Sequence, residues 1–264
     1  MGLTIHYDVK PPAHIRKAKD VLAAVEELRQ RAMDLPFEEC DDKLVHLVGK
    51  DCAVEPDRKT DKDDPTRWLK IQASECIAVA DGSPTYCHVV PSEIVAFGCW
   101  PGAGCEALNI GCCRYPQTIS MNGKTYPTHL HGWRWKSFCK TQYAANIGVK
   151  HFLHCHNLVC VLLDVAKELD FRVTVKDEGK FYQDRDLEAL ATEVGEWNTM
   201  IAGLAGQLKD AFGAESIESP ITDHPGYERL EAQSTVDARR LIAFLSSASK
   251  AEIRAHQKHH PEQW

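Results

Sequence analysis

The stretch 149–169 constrains the fold of this chain more than any other. At about 100° per residue around an axis, Phe152, Cys155, His156, Leu162, Leu163 and Ala166 all fall within roughly 60° of Val159. Lys150, Asn157, Asp164, Lys167 and Glu168 fall on or near the far side. A helix with such a stripe must lay it on a second layer. The strand-like run Phe171–Val175 follows at once. The same rotation separates three histidines that look alike in the string: His154 faces solvent, His151 sits at the margin, and His156 points inward beside Cys155.

The opening reads β-α-β. Leu3, Ile5, Tyr7 and Val9 alternate with Thr4, His6 and Asp8, which is strand periodicity. Pro11-Pro12 follows, then a helix to about Leu35 with Val21, Leu22, Val25, Leu28 and Ala32 at helical spacing, stopped by Leu35-Pro36. Residues 43–49 form the second strand. From Trp68 to Tyr115 the pattern predicts strands at Leu69–Ala73, Ile77–Ala80, Tyr86–Val90, Ile94–Trp100 and Leu108–Arg114, with turns at Asp81–Pro84 and at Pro101-Gly102-Ala103-Gly104. Residues 116–132 read as an irregular loop with a tight turn at Asn122-Gly123, and Lys176–Gly179 as another turn. A helix is expected over 186–212 with Asp184 or Asp186 as its N-cap, and a last helix over 234–255 before a frayed tail. The expected fold is α+β: one domain over 1–264 with a mixed or mainly antiparallel sheet and helices on one face. Its β-rich part covers about 66–143 and its helical part 149–255. A ferredoxin-like core with a large central insertion satisfies this order.

Composition removes several classes. No apolar run approaches the ~20 residues that span a bilayer, and the first residues lack the pattern of a signal peptide. A net charge of −7 argues against a nucleic-acid surface. The mixed-sign run Asp57–Asp64 reads as a solvated loop. Eleven irregularly spaced cysteines in 264 residues point to reduced, core-filling thiols and a cytoplasmic setting.

Chemistry concentrates in 129–143 and 151–156, where Trp, His, Cys, amide and cationic side chains crowd together. In one reading Cys139 is a nucleophile, its thiolate favoured by Lys136 and Lys140. His156 is then its base, Asp177 or Glu178 orients that base, and Gln142 donates to an oxyanion. In a second, Trp133, Trp135 and Tyr143 with Arg134, Lys136 and Lys140 bind an anionic or aromatic small molecule, walled by Arg114 and Glu106. In a third, His129 and His131 share one face of an extended segment and combine with His151 or His154 to hold zinc, although no Cys-x-x-Cys or His-Glu-x-x-His is present. Plainer roles compete throughout: Cys139 and Cys155 as core thiols, His156 as a core histidine, the tryptophans as packing, and 177–179 as a turn. The expectation is a small-molecule-binding protein with hydrolase or transferase chemistry at a Cys/His pair. Its rivals are a zinc-dependent enzyme and a non-catalytic interaction protein.

The runs Gly111-Cys112-Cys113-Arg114-Tyr115-Pro116, Ser137–Ala144 and Asp177-Glu178-Gly179 resemble stretches of an uncharacterised family of soluble bacterial proteins, over most of the chain. That family has no established activity. The resemblance implies a soluble bacterial protein and no mechanism.

Overall fold

The computed structural model describes residues 3–54, 64–78, 84–121 and 123–212. Along the chain run strand β1 (Thr4–Lys10), helix α1 (Ala18–Met33), and strands β2 (Glu39–Cys40), β3 (Val45–Val48), β4 (Ala73–Ala78), β5 (Pro84–Val89), β6 (Glu93–Trp100), β7 (Leu108–Arg114), β8 (Thr118–Met121), β9 (Lys124–Pro127) and β10 (Trp133–Lys140). Helix α2 (Val149–Glu168), strand β11 (Arg172–Asp177) and helices α3 (Phe181–Asp184) and α4 (Leu187–Phe212) follow. The chain divides into two compact units, Met1–Leu190 and Ala191–Trp264.

The main sheet has seven strands in the order β11-β1-β10-β7-β6-β2, with β3 also on β6, and every pairing is antiparallel. The path β1-α1-β7-β10-α2-β11 is a split β-α-β-β-α-β unit, the ferredoxin-like arrangement. The segment β2–β6 enters between α1 and β7 and widens the sheet. β2 and β3 are two pieces of one edge strand, interrupted at Asp41. There the Asp41 amide donates to the Gly98 carbonyl at 2.9 Å and its carboxylate accepts from the Gly98 amide at 2.7 Å.

Alternation sorts each strand onto two faces. Ile5, Tyr7 and Val9 share one face with Trp135, Ser137 and Cys139 of β10 and Val173, Val175 and Asp177 of β11, because they lie opposite one another in register. This face packs on the helices. α1 buries Val21, Val25, Leu28 and Ala32, and α2 buries Phe152, Cys155, His156, Val159, Leu162, Leu163 and Ala166. β7 and β10 pair only at Trp133–Arg114 and Arg134–Cys113 and then splay. Trp135 and Tyr7 fill the wedge, and the Asn109 carbonyl, left without a ladder partner, accepts from Trp135 Nε1 and Tyr7 Oη, each at 2.7 Å.

Helix α2 turns into β11 without a linker. Asp170 takes a left-handed conformation at φ 64°, and the Phe171 amide reaches back to the Ala166 carbonyl at 3.0 Å. This is a Schellman-type stop with an apolar residue packed after it. The α4 N-cap is Asp186, whose Oδ1 accepts from the amides of Glu188 and Ala189.

Several sequence expectations are corrected. β1 and β3 run the same way but are separated by β10, β7 and β6, so the opening is no local β-α-β unit. Leu69 ends a 3-10 turn instead of starting a strand, and a single strand, Ala73–Ala78, replaces the two expected there. Residues 116–132 contain the β8–β9 hairpin. Lys176 and Asp177 complete β11 because they find ladder partners in His6 and Ile5, and the turn begins at Glu178. The charged loop at 57–63, the turn at 81–83, Asn122 and the helix expected at 234–255 lie outside the described residues.

Gly111 shows how tightly β6 and β7 meet. A Cβ there would stand 2.2 Å from the Val95 carbonyl oxygen and 2.5 Å from Ala96 Cα. Both are backbone atoms that cannot rotate away. Gly111→Ala is expected to lower unfolding free energy by about 3 kcal/mol or more, at the upper end of overpacking costs, read as a fall in the urea midpoint with an unchanged slope.

Candidate functional site

Three strand ends meet beneath α2. The start of β1, the end of β10 and the end of β11 are neighbours because the three strands are antiparallel. Thr141 follows β10, His156 sits on the inner face of α2, and Asp177 closes β11. His156 Nε2 lies 3.1 Å from Asp177 Oδ2, and Nδ1 lies 2.8 Å from Thr141 Oγ1. The carboxylate only accepts, so Nε2 donates to Asp177, and Nδ1 shares its hydrogen bond with the threonine hydroxyl. Asp177 also accepts from the amides of Gly179 and Tyr182, each at 2.9 Å. Burial by itself would raise the Asp177 pKa. The hydrogen bond and charge of His156 and the two backbone amides outweigh it and hold the carboxyl below its ordinary value.

A hydroxyl, an imidazole and a carboxylate in sequence have the connectivity of a nucleophile-base-acid relay. The surroundings do not suit that use. Thr141 and His156 have 0% of their surface exposed and Asp177 has 6%. With no approach for a substrate, the group acts as a polar cross-link between two strands and a helix. Cys160 joins it: its sulfur, a His156 nitrogen and an Asp177 oxygen lie within 4.8 Å of one another. Those nitrogen and oxygen atoms already have partners, and burial raises the Cys160 thiol, so the trio packs as core instead of offering an open set of ligands.

Cys139 does not meet His156. Both ring nitrogens are taken, and the thiol turns to the Glu106 carbonyl at 3.3 Å. Burial, reinforced by Glu106, pushes the Cys139 thiol well up, opposite to the activation by lysines that the sequence suggested. Lys136 is on the other sheet face, and Lys140 lies over Tyr143 at 4.8 Å. Gln142 is buried in a 3-10 turn. Trp133 and Trp135 are core residues whose indole nitrogens donate to the carbonyls of Arg16 and Asn109. Arg114 pairs with Glu93 at 2.9 Å, and Glu106 accepts from the Lys140 amide. Glu178 accepts from the Thr4 amide and lies 3.6 Å from His6. These ligand-binding candidates therefore separate into the two ends of β10.

The histidines separate too. His129 is exposed and bonds Glu75 at 3.2 Å, and His131 and His154 are exposed. His151 donates to the Ala103 carbonyl at 2.9 Å. Among the described residues, no three of these four come close enough to share an ion.

The cavity lies on the opposite sheet face. Over β11, β1 and β10 no helix among the described residues covers this face, while over β6 and β7 it is covered by the 3-10 turns Gly49–Cys52 and Arg67–Leu69. A cleft of about 710 Å³ results, floored by Thr174 and Lys176, His6 and Asp8, and Arg134, Lys136 and Phe138, and walled by Gln72–Glu75, Tyr115 and Leu130. Asp8 Oδ2 pairs with Arg134 at 2.6 Å, whereas Asp8 Oδ1 is buried without a hydrogen-bond partner among the described residues. Glu75 is engaged by His129. Lys136 and Lys176 are exposed and have no ion pair among the described residues. Arg134 and Lys136 stand out in the sequence as cations for an anionic ligand. His6, Asp8, Thr174 and Lys176 do not, because polar positions of an alternating strand ordinarily face water. Compared with protein-family models, curated proteins and solved structures, the chain finds no match.

Two outcomes follow. Because the Asp177 pKa is depressed in the fold, its contribution is present above the unfolded carboxyl value, about 3.9, and lost as pH falls through the folded one. Asp177→Asn should cost about 3–5 kcal/mol at neutral pH, as for one partner of a buried pair. The gap from wild type should narrow in denaturant titrations as pH drops below about 4. Cys139 should stay unlabelled when native protein meets iodoacetamide at neutral pH and react only after unfolding.

Proposed function

We propose that this protein binds a small organic anion in the cleft over β11, β1 and β10. The observation that carries the proposal is a cleft of about 710 Å³, in the size range of small-molecule sites, that presents two lysines without ion-pair partners among the described residues. Lys136 and Lys176 supply charge for a carboxylate or phosphate. Phe138 and Leu130 supply apolar wall for the body of the ligand. The orphaned Asp8 Oδ1 calls for a donor, so a ligand that also carries a hydroxyl or amino group fits better than a bare acid. Arg134 is held by Asp8 and shapes that corner. This is binding without covalent chemistry through Cys139 and His156, which have other partners. No helix among the described residues is long and apolar enough to cross a membrane. The eleven free thiols suit a reducing compartment, which supports a cytoplasmic setting.

A thermal-shift screen of hydroxylated and aminated carboxylates and phosphates is the test. Members of that panel should raise the wild-type midpoint and bind Lys136→Ala or Lys176→Ala about tenfold more weakly, equivalent to ~1.4 kcal/mol for one charge-assisted contact. Phe138→Ala should weaken ligands with an apolar body more than small ones. Hits that stabilise the double lysine variant as well as the wild type, or no hit at millimolar concentration, would remove the cleft as the binding site.

A further inference from the structure

On the helix-packed face, at the opposite edge of the sheet from β11, two thiols face each other across β2 and β6. Cys40 and Cys99 are direct register partners, and their sulfurs are 2.8 Å apart. The Asp41 amide donates to Gly98 in the next pair along. Cys40 and Cys99 therefore occupy a narrow, non-hydrogen-bonded pair, in which Cα atoms are about 4.5 Å apart. That separation falls within the span a disulfide bridges without backbone movement. The two residues also differ in access. Cys40 is half-buried on the edge strand, and Cys99 is 2% exposed.

From this juxtaposition we infer that Cys40 and Cys99 form a redox-active dithiol, oxidised to a disulfide by small hydroperoxides. The thiolate of Cys40 attacks the terminal peroxide oxygen. A sulfur–oxygen bond forms, the oxygen–oxygen bond breaks, and the released alkoxide or hydroxide takes a proton to leave as an alcohol or water. Cys99 sulfur then attacks the Cys40 sulfenic acid. The sulfur–sulfur bond forms, the sulfur–oxygen bond breaks, and the departing hydroxide leaves as water with the Cys99 proton. Two thiols are oxidised by two electrons in all, and the hydroperoxide is reduced to an alcohol and water.

The environment favours Cys40 as the attacking sulfur. The contact with Cys99 holds the Cys40 thiol below its ordinary value against burial and the nearby Asp41, and the Arg29 guanidinium acts in the same direction as that contact. Arg29 is fixed there by its bond to the Asp41 carbonyl at 2.9 Å and by Glu26 at 2.7 Å. Cys99 is raised by its contact with Cys40 and by burial, which suits the thiol that attacks second. A comparable contact joins Cys105 and Cys155 on the Gly102 turn, with the Cys155 sulfur 3.6 Å from His151. Cys155 has 0% exposure, and that pair serves as an internal control. The dithiol and the ligand cleft lie on opposite sheet faces, so neither proposal depends on the other.

The test is peroxide oxidation of the full chain, followed by alkylation, digestion and mass spectrometry without reductant. One equivalent of hydrogen peroxide should remove Cys40 and Cys99 from the alkylated set and yield a cross-linked peptide that contains both. Dithiothreitol should restore both thiols. In Cys99→Ser, dimedone should label Cys40. In Cys40→Ser, Cys99 should remain a thiol. Far-UV circular dichroism verifies that both variants fold, and the wild-type mapping stands without them. A peptide cross-linked through Cys105 and Cys155 while Cys40 and Cys99 are still alkylated overturns the inference. So does a protein whose Cys40 and Cys99 survive oxidation unchanged.

Discussion

The hydrogen bond between His156 and Asp177, with Thr141 on the other ring nitrogen, is the point on which the arrangement of the first unit turns. Each of these groups would be costly to bury alone. Together with the amides of Gly179 and Tyr182 they satisfy one another. The bond is also directional. It sets the rotation of α2 about its own axis, so that Phe152, Cys155, Val159 and Leu162 meet the sheet and Lys150 and His154 face solvent. It joins the end of β10 to the end of β11, the strands on either side of β1. Apolar packing tolerates several rotations of a helix, whereas a buried imidazole with two fixed partners tolerates one.

That network uses up the residues that look most reactive. His156 spends both nitrogens on structure, Cys139 is buried against the Glu106 carbonyl, and the tryptophans donate to the carbonyls of Arg16 and Asn109. Polar chemistry is displaced to the far side of the same three strands. There His6, Asp8, Lys136 and Lys176 alternate with the core residues and line a cleft. One set of strands thus performs two tasks, separated by the period-two alternation of its side chains.

The edge of the sheet shows the same economy. β2 and β3 protect β6, and the break between them is stabilised by Asp41, which bonds Gly98 through both backbone and side chain. The break leaves Cys40 on a strand of only two residues, close enough to the surface for small oxidants and held opposite Cys99. Nothing in the spacing of residues 40 and 99 along the chain suggests that they meet.

The α+β class, β1, the two long helices of the first unit, β6, β7 and the inward face of α2 could be read from sequence, because each depends on local periodicity. The inward placement of His156 was legible from helical geometry, whereas the sequence left Asp177 and Glu178 as equal partners for it and joined it to Cys139, which bonds Glu106 instead. The extension of β11 through Asp177 was not, since Lys176-Asp177-Glu178-Gly179 has turn composition and becomes strand only when β1 lies beside it. Nor was the site. Trp133 and Trp135 stand out by residue type but are core, while His6 and Lys176 are unremarkable in the string and face a cleft. Local pattern determined which residues form each element and which side of it is apolar. Strand order and register, which depend on contacts between residues far apart in the chain, decided which thiols meet, which histidine is sealed in, and which polar side chains gather around one cleft.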